Sequence, residues 1–497
     1  MKIRWPKCKH IVGVGGNLPK EVDVRPEYLL HYTRVVDWCY VARVTIDKLP
    51  DVALLETFHF FMEDASSISG SDTWRRLLHV CRKWRNVIFG SPHRLDLHLH
   101  CREWTRVRET IAAWPLLPIH VEGYAKEKCG VVNILVALEH NDRIRHLVLF
   151  NYAGSDMDKL LAAMQQPFPA LTYLELNSSS ETVRVVPASF LGGSAPQLQT
   201  LYLFRIPVPG LPKLLLSATH LVQLRILNIP HSGYFLPETI VTSLAVLTRL
   251  ERLDIGFGSP RSFPDRKTRR PPPQTRTVLP VLTSFMFRGV SEYLDDLVAR
   301  IDAPLLNELN ITFFHQLLFD TPHLTQFVRR TPKFKAYDEA RVEFSGSGVW
   351  LTTSDWALRL GISCRPSDWQ LSSLAQICRS GFMPAVEHLY LDLHVLQEKH
   401  HRLSWQDDIE TSQWLEVLHP LTAVKDLYIC REFTPHIAPT LKELVGGRVT
   451  EALPVLQTLF LQEALPSSGP VQESIAKFVA ARELAGLPIA VSLWEDG

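Results

Sequence analysis

Leucine and its apolar stand-ins recur along most of this chain in one short figure, L-x-x-L-x-L. The copies are "IRHLVL" (Ile144–Leu149), "LTYLEL" (Leu171–Leu176), "LQTLYL" (Leu198–Leu203), "LRILNI" (Leu224–Ile229) and "LERLDI" (Leu250–Ile255). With Leu147, Leu174, Leu201, Leu227 and Leu253 as equivalent positions, successive copies stand 27, 27, 26 and 26 residues apart. Further copies follow at "LTSFMF" (Leu282–Phe287), "LNELNI" (Leu306–Ile311), "VEHLYL" (Val386–Leu391), "VKDLYI" (Val424–Ile429) and "LQTLFL" (Leu456–Leu461). The alternating L-x-L predicts a short strand with one apolar face, because successive side chains on a strand point to opposite sides. Segments between copies, such as "DMDKLLAAMQQ" and "ETIVTSLAVL", have helical spacing. A proline often precedes the strand: Pro169, Pro196, Pro280, Pro304, Pro384 and Pro454. One strand and one helix per unit predict an α/β solenoid, a curved parallel sheet with helices outside, in which no unit buries its apolar face alone.

Two places break the rhythm. "SPRSFPDRKTRRPPPQTRT" (Ser259–Thr277) carries six Arg or Lys against one Asp, and five prolines. Its composition predicts an extended, solvated loop, with an import signal or docking peptide as the functional alternative. From Phe334 to Cys378, "EARVEFSGSGVWLTT" and "ALRLGISC" read as strands around a Ser-Gly turn, and "DWQLSSLAQICRSG" as a helix. Distorted repeats are expected there. At the end, Pro470 opens a helix with Val471, Ile475, Phe478 and Val479 inward, and "LPIAVSLW" reads as a strand. Together they predict a C-terminal cap over 470–497.

Ahead of the repeats lies a different pattern. In "IDKLPDVALLETFHFF" (Ile46–Phe61), Pro50 suits a first helical turn, and Leu54, Leu55, Phe58 and Phe61 gather on one face. A polar stretch follows, and Asp72 is placed to cap a second helix with Trp74, Leu78, Cys81, Trp84 and Ile88 on its apolar side. About 45 residues cannot bury so many large side chains alone, which points to a partner or a neighbouring domain. Residues 1–45 form no defined element; the "GVGG" at Gly13–Gly16 lacks the context of a dinucleotide-binding turn.

Composition narrows the class. The chain has 497 residues, 46% hydrophobic and 21% charged, with a formal net charge of +1. That balance gives no global electrostatic case for nucleic acid or an anionic membrane. Eight scattered cysteines without a C-x-x-C pair suit a reducing compartment, and no apolar run approaches the roughly 18 residues of a membrane span. The expected location is cytoplasm or nucleus. There is no G-x-S-x-G, no G-x-x-x-x-G-K and no H-E-x-x-H, so no enzyme, cofactor or metal site is expected. "LDLHLHC" (Leu95–Cys101) places His98 and His100 on one side of a strand with Asp96, but supplies no obvious further ligand; "HH" at His400–His401 falls in a polar loop.

Leu49-Pro50, Leu54, Phe58, the "VCRKWR" segment from Val80 to Arg85, and Ser91-Pro92 resemble an F-box over residues 46–95. The repeats over 96–497 resemble degenerate leucine-rich repeats, and the whole is similar to fungal F-box proteins. The resemblance implies a small helical unit docking on the Skp-type adaptor of a cullin–RING ubiquitin ligase. Leu49, Pro50, Leu54, Phe58, Val80, Cys81 and Trp84 would contact that adaptor or hold the helices that do. The solenoid would bind an unidentified target protein on its concave face. From strand alternation, that face comprises Tyr173, Glu175, Asn177, Tyr202, Phe204, Arg252, Asp254, Met286, Arg288, Glu308, Asn310, His388, Tyr390, Asp392, Tyr428 and Phe460, rich in the aromatic and Arg side chains that anchor protein contacts. Val52 and Thr57 depart from the F-box pattern, and the Met62–Ser71 loop is long. A second reading is therefore a leucine-rich-repeat scaffold without a ubiquitin role.

Overall fold

The computed structural model describes residues 48–58, 60, 77, 79–90, 97–114, 116–124, 130–180, 184–261, 275–315, 321–334, 337–364, 367–380, 385–393, 411–463 and 469–494. The chain divides into two compact units, Met1–His98 and Leu99–Gly497.

In the first unit, residues 51–58 are helical, opened by Leu54 N donating to the Pro50 carbonyl at 3.1 Å. Leu54, Phe58, Leu77, Val87 and Ile88 form its core, with Leu49, Leu55 and Trp84 packed against it. The Phe58 and Trp84 rings lie 4.6 Å apart. Lys83 Nζ ties the two helical segments together by donating to the Leu49 carbonyl at 3.0 Å. The expected second helix is not continuous. Val80 N closes a turn on the Leu77 carbonyl, and a helix begins again at Arg82–Gly90. Cys81 starts that helix: its sulfur accepts from Trp84 N at 3.4 Å and its carbonyl from Arg85 N at 3.2 Å, a capping role usually given to Ser or Asp. Phe61, Asp72, Trp74 and Leu78 lie outside the described residues.

The strands are β1 (Leu97–His100), β2 (Ile119–Tyr124), β3 (Ile144–Tyr152), β4 (Tyr173–Ser178), β5 (Thr200–Phe204), β6 (Gln223–Ile229), β7 (Arg252–Phe257), β8 (Thr277–Val278), β9 (Ser284–Gly289), β10 (Ile301–Asp302), β11 (Glu308–Phe314), β12 (Glu339–Ser345), β13 (Gly348–Thr353), β14 (Leu358–Ser363), β15 (His388–Leu393), β16 (Asp426–Ile429), β17 (Thr458–Leu461) and β18 (Ala490–Leu493). Sixteen of them form one sheet in the order β1-β2-β3-β4-β5-β6-β7-β9-β11-β14-β13-β12-β15-β16-β17-β18, while β8 and β10 pair separately. All ten predicted L-x-x-L-x-L copies supply a strand of the large sheet.

Register explains the core. Leu147, Leu174, Leu201, Leu224, Leu253, Phe285 and Leu309 stand side by side, and Leu149, Leu176, Leu203, Ile226, Ile255, Phe287 and Ile311 form a second row two residues on. Every one of these side chains is buried. Leu224, not Leu227, is thus the equivalent position in β6, so that copy is "LVQLRI" from Leu221 to Ile226 and the even 26-residue spacing does not hold. The preceding unit is short because its helix is only Leu211–Leu215. The following one is long because a 3-10 turn, His231–Gly233, precedes the helix Pro237–Leu244.

Helices form the other layer, among them Gly154–Ala163, Ser291–Val298, Pro322–Arg330, Thr411–Leu418 and Pro470–Leu484. The prolines before strands have a local cause. Leu171, Leu198, Leu282, Leu306 and Leu456 each donate N–H to the carbonyl three residues back, which puts Pro169, Pro196, Pro280, Pro304 and Pro454 second in a tight turn, where a fixed φ fits.

The Phe334–Cys378 break departs from a purely parallel solenoid. β12, β13 and β14 run as an antiparallel meander inside the sheet, and β11 and β15 flank it in parallel pairing. Two glycines permit this packing: a Cβ at Gly348 would fall 2.2 Å from the Ile362 carbonyl oxygen, and one at Gly361 would meet the Trp350 ring at 2.3 Å. At the C-terminal side the helix Pro470–Leu484 precedes β18, the last strand of the sheet; Ile475 and Phe478 are buried, whereas Val471 and Val479, also expected to face inward, are half-buried. Most of the basic, proline-rich stretch (262–274) and His400–His401 lie outside the described residues.

Candidate functional site

Along strands such as β5 and β11, buried residues alternate with partly exposed ones, and the positions that alternate with the core rows align into rows of their own across the sheet. One row runs Val148, Glu175, Tyr202, Arg225, Asp254, Met286, Asn310 and Arg359. It passes through the meander by Thr352 and Arg341 and continues as Tyr390, Tyr428 and Phe460. A second row contains His146, Tyr173, Thr200, Gln223, Arg252, Ser284 and Glu308. Tyr173, Glu175, Tyr202, Arg252, Glu308, Tyr390 and Tyr428 stand in these rows, and Arg288 and His388 lie two residues from Met286 and Tyr390 on the same strands.

Two members differ from expectation. Asp254 is fully buried, because Arg225 Nε donates to it at 2.7 Å from the next strand and Arg252 Nε at 3.1 Å from its own. Asn177 is also buried. Neither offers a contact surface.

The face has two chemically different parts. Around Tyr173 and Tyr202 it is a charged network. The Tyr173 hydroxyl donates to Glu175 Oε2 at 2.8 Å, and Arg225 lies 4.9 Å over the Tyr202 ring. Burial, followed by the bond to Glu175, pushes the Tyr173 phenol up to about 12. His120 and His146 stack at 4.0 Å, and His146 on Tyr173 at 5.1 Å. Around β15–β17 the face is an aromatic stack: Tyr390 and Tyr428 lie 4.0 Å apart and Tyr428 and Phe460 4.3 Å. Arg341 caps one end, 5.4 Å over Tyr390. Trp494 meets both tyrosines edge-on at 5.9 and 5.7 Å, held by its indole N–H to the Ile429 carbonyl at 3.3 Å. His388 Nδ1 sits 2.9 Å from Asp426.

Sequence reasoning missed Arg225, Arg341, Arg359, Trp350 and Trp494. Arg225 was hidden by the shifted register of the β6 copy; aligning Leu221–Ile226 instead of Leu224–Ile229 exposes it. Arg341 and Arg359 lie in the meander, which carries no L-x-x-L-x-L signal.

In the first unit, the seven residues named from the F-box resemblance separate by burial. Leu54 and Phe58 are core, Leu49, Cys81 and Trp84 are half-buried, and Pro50 and Val80 are exposed. Val52, Phe60 and Val80 leave 64%, 60% and 56% of their surfaces uncovered. That is a large apolar exposure for so small a unit.

His98 and His100 do occupy one side of β1, and His100 Nδ1 pairs with Glu122 Oε2 at 3.1 Å; Asp96 lies outside the described residues. Among the described residues no three His, Cys, Asp or Glu side chains come together as metal ligands, and no helix is long and apolar enough to cross a membrane. Cys81, Cys101, Cys364, Cys378 and Cys430 are free thiols.

No family model and no curated protein matches the chain. Among solved structures it is similar to the leucine-rich repeat-containing protein LegL7 from Legionella pneumophila, at 14% identity over 78% of this chain and 98% of that one, with a TM-score of 0.26. The row register of the sheet, rather than that likeness, defines the leucine-rich-repeat-like solenoid here.

Proposed function

We propose that the sheet face binds a target protein and that the N-terminal unit attaches the chain to a Skp-type adaptor, making it a substrate receptor of a cullin–RING ubiquitin ligase. The observation that carries the binding role is the unbroken row from Val148 to Phe460, in which side chains from successive strands meet in register. It offers aromatic and guanidinium groups already ordered by stacking and ion pairing, so a partner orders few side chains on binding. The adaptor role rests on the "VCRKWR" resemblance and on the exposed apolar side chains of Pro50, Val52 and Val80. In this reading ubiquitin is transferred elsewhere in the complex. The chain contributes proximity, raising the effective concentration of target lysines, and no residue of it acts as nucleophile, acid or base. Cytoplasm or nucleus is the corresponding location.

The test is a pull-down of the full chain read by mass spectrometry, alongside Val80→Asp. Val80 is exposed, so a charge there leaves the Leu54–Phe58 core intact. Adaptor and cullin captured by wild type and lost, at least tenfold, with Val80→Asp support the receptor role. Capture unchanged by Val80→Asp would place the adaptor contact elsewhere. Val52 and Thr57, where the F-box pattern is broken, favour the second reading of a scaffold without ubiquitin. That reading excludes cullin-dependent ubiquitylation of the target in a reconstituted complex.

A further inference from the structure

Arg225 and Arg252 are gathered by a single carboxylate. Asp254 lies beneath them with no exposed side-chain surface, while the arginine side chains remain 34% and 36% exposed. Both guanidiniums reach Asp254 through Nε alone, Arg225 at 2.7 Å and Arg252 at 3.1 and 3.2 Å. A pair serving only to neutralise a buried acid would be expected to use the bidentate fork, which is the stronger arrangement. Here the Nη groups of both side chains make no hydrogen bond among the described residues. Arg225 is further fixed by lying 4.9 Å over the Tyr202 ring. Two positive charges over one negative leave the Arg225–Arg252–Asp254 group at +1; Glu175, two strands along the row, keeps its own negative charge while accepting from the Tyr173 hydroxyl.

We propose that this arginine pair anchors a carboxylate, the side chain of an aspartate or glutamate in the protein that docks on the sheet face. The inference rests on the protein-binding reading of that face. Charge selects the ligand: one carboxylate matches the +1 of the Arg225–Arg252–Asp254 group, whereas a phosphate dianion exceeds it and adds repulsion from Asp254 and the nearby Glu175. Planar guanidinium donors suit a carboxylate, and Asp254 holds them in place before the ligand arrives.

The experiment selects displayed random dodecapeptides on the full chain. The best peptide is then measured by fluorescence polarisation with its acid intact, changed to Gln, or replaced by phosphoserine. The chain is used as wild type, Arg225→Gln and Arg225→Lys. The lysine variant keeps the charge beside Asp254, so the fold is retained while the fork is lost, and circular dichroism checks this. Selected peptides are expected to share an Asp or Glu at one position, and its change to Gln to weaken binding to wild type about tenfold, or about 1.4 kcal/mol. With either variant the acid-to-Gln difference should fall below about twofold. Peptides without a shared acid, an undiminished acid preference in both variants, or tighter binding of phosphoserine would each overturn the proposal while leaving the face a binding surface. Recovery of no peptide on wild type would overturn both.

Discussion

Arg482 is the side chain on which the C-terminal end of the solenoid is expected to depend most. It is 1% exposed, and it donates to the carbonyls of Val449 at 3.3 Å, Leu453 at 3.2 Å, Pro454 at 3.4 Å and Leu456 at 3.0 Å. These carbonyls belong to the turn that leads into β17, so the side chain fastens the helix Pro470–Leu484 to the preceding repeat. Among the described residues no carboxylate lies within ion-pair distance, and burial lowers the guanidinium pKa from its ordinary value. In Arg482→Met the aliphatic volume stays but all four bonds go. Leu453 keeps a donor in Leu456 N–H, so three carbonyls lose theirs, at roughly 1–3 kcal/mol each. The long distances argue for the lower end, and no longer burying the guanidinium offsets part of the loss. The net expectation is about 3 kcal/mol. Because repeat arrays couple only to nearest neighbours, the loss should be local. Hydrogen exchange of β17 and β18 amides should accelerate on the order of 150-fold, with β3–β7 unchanged. Acceleration below about threefold, or an equal loss in β3–β7, would refute this account of the cap.

Register makes a sharper test of the β6 assignment: Leu224→Ala should cost roughly 2–5 kcal/mol, as for other fully buried leucines, whereas Leu227→Ala, half-exposed, should cost under about 1 kcal/mol by urea denaturation. The reverse order would restore Leu227 as the core position. Burial pushes the Cys101, Cys378 and Cys430 thiols up to about 12. An unfolded thiol ionises near 9, so the stability held by keeping them neutral is intact below that pH and is lost as pH rises from about 9 towards 12. The slope is at most about 1.4 kcal/mol per thiol per pH unit. Urea midpoints at pH 8 and 10.5 check this, the triple Cys→Ala variant being expected to lose less on going from the lower pH to the higher.

Most of the solenoid was legible because its rule is repetitive. A strand needs two apolar residues facing one way, and Leu174 with Leu176, or Leu459 with Leu461, announce it whatever lies between repeats. Register was less legible. "LRILNI" satisfies the figure three residues too late, since Ile229 and Leu227 mimic the pair that Leu224 and Ile226 supply. The meander could not be seen as part of the same sheet, because Ser345–Gly348 and the close approach at Gly361 specify a hairpin but not its neighbours. In the N-terminal unit the helix break at Cys81 escaped because periodicity runs through it unchanged; only the sulfur acting as a cap marks the restart. For the face, alternation finds which residues turn away from the core, but not which are then covered. Asp254 is exposed by pattern and buried in fact, since two long arginines reach over it.

The meander also shows why the face stays whole although the strand direction does not. Row continuity depends on the two-residue alternation within each strand and on the pairing of like faces, and neither needs parallel strands. Val342 opposite Leu351, and Leu351 opposite Leu360, keep apolar residues on the core side. Arg341, Thr352 and Arg359 are thereby compelled to the other side, in line with Tyr390 and Asn310. An insertion that slipped by one residue would put three polar side chains into the core and three apolar ones on the face. The same constraint that protects the core therefore holds the charged network around Asp254 and the Tyr390–Tyr428–Phe460 stack on the same face of the sheet.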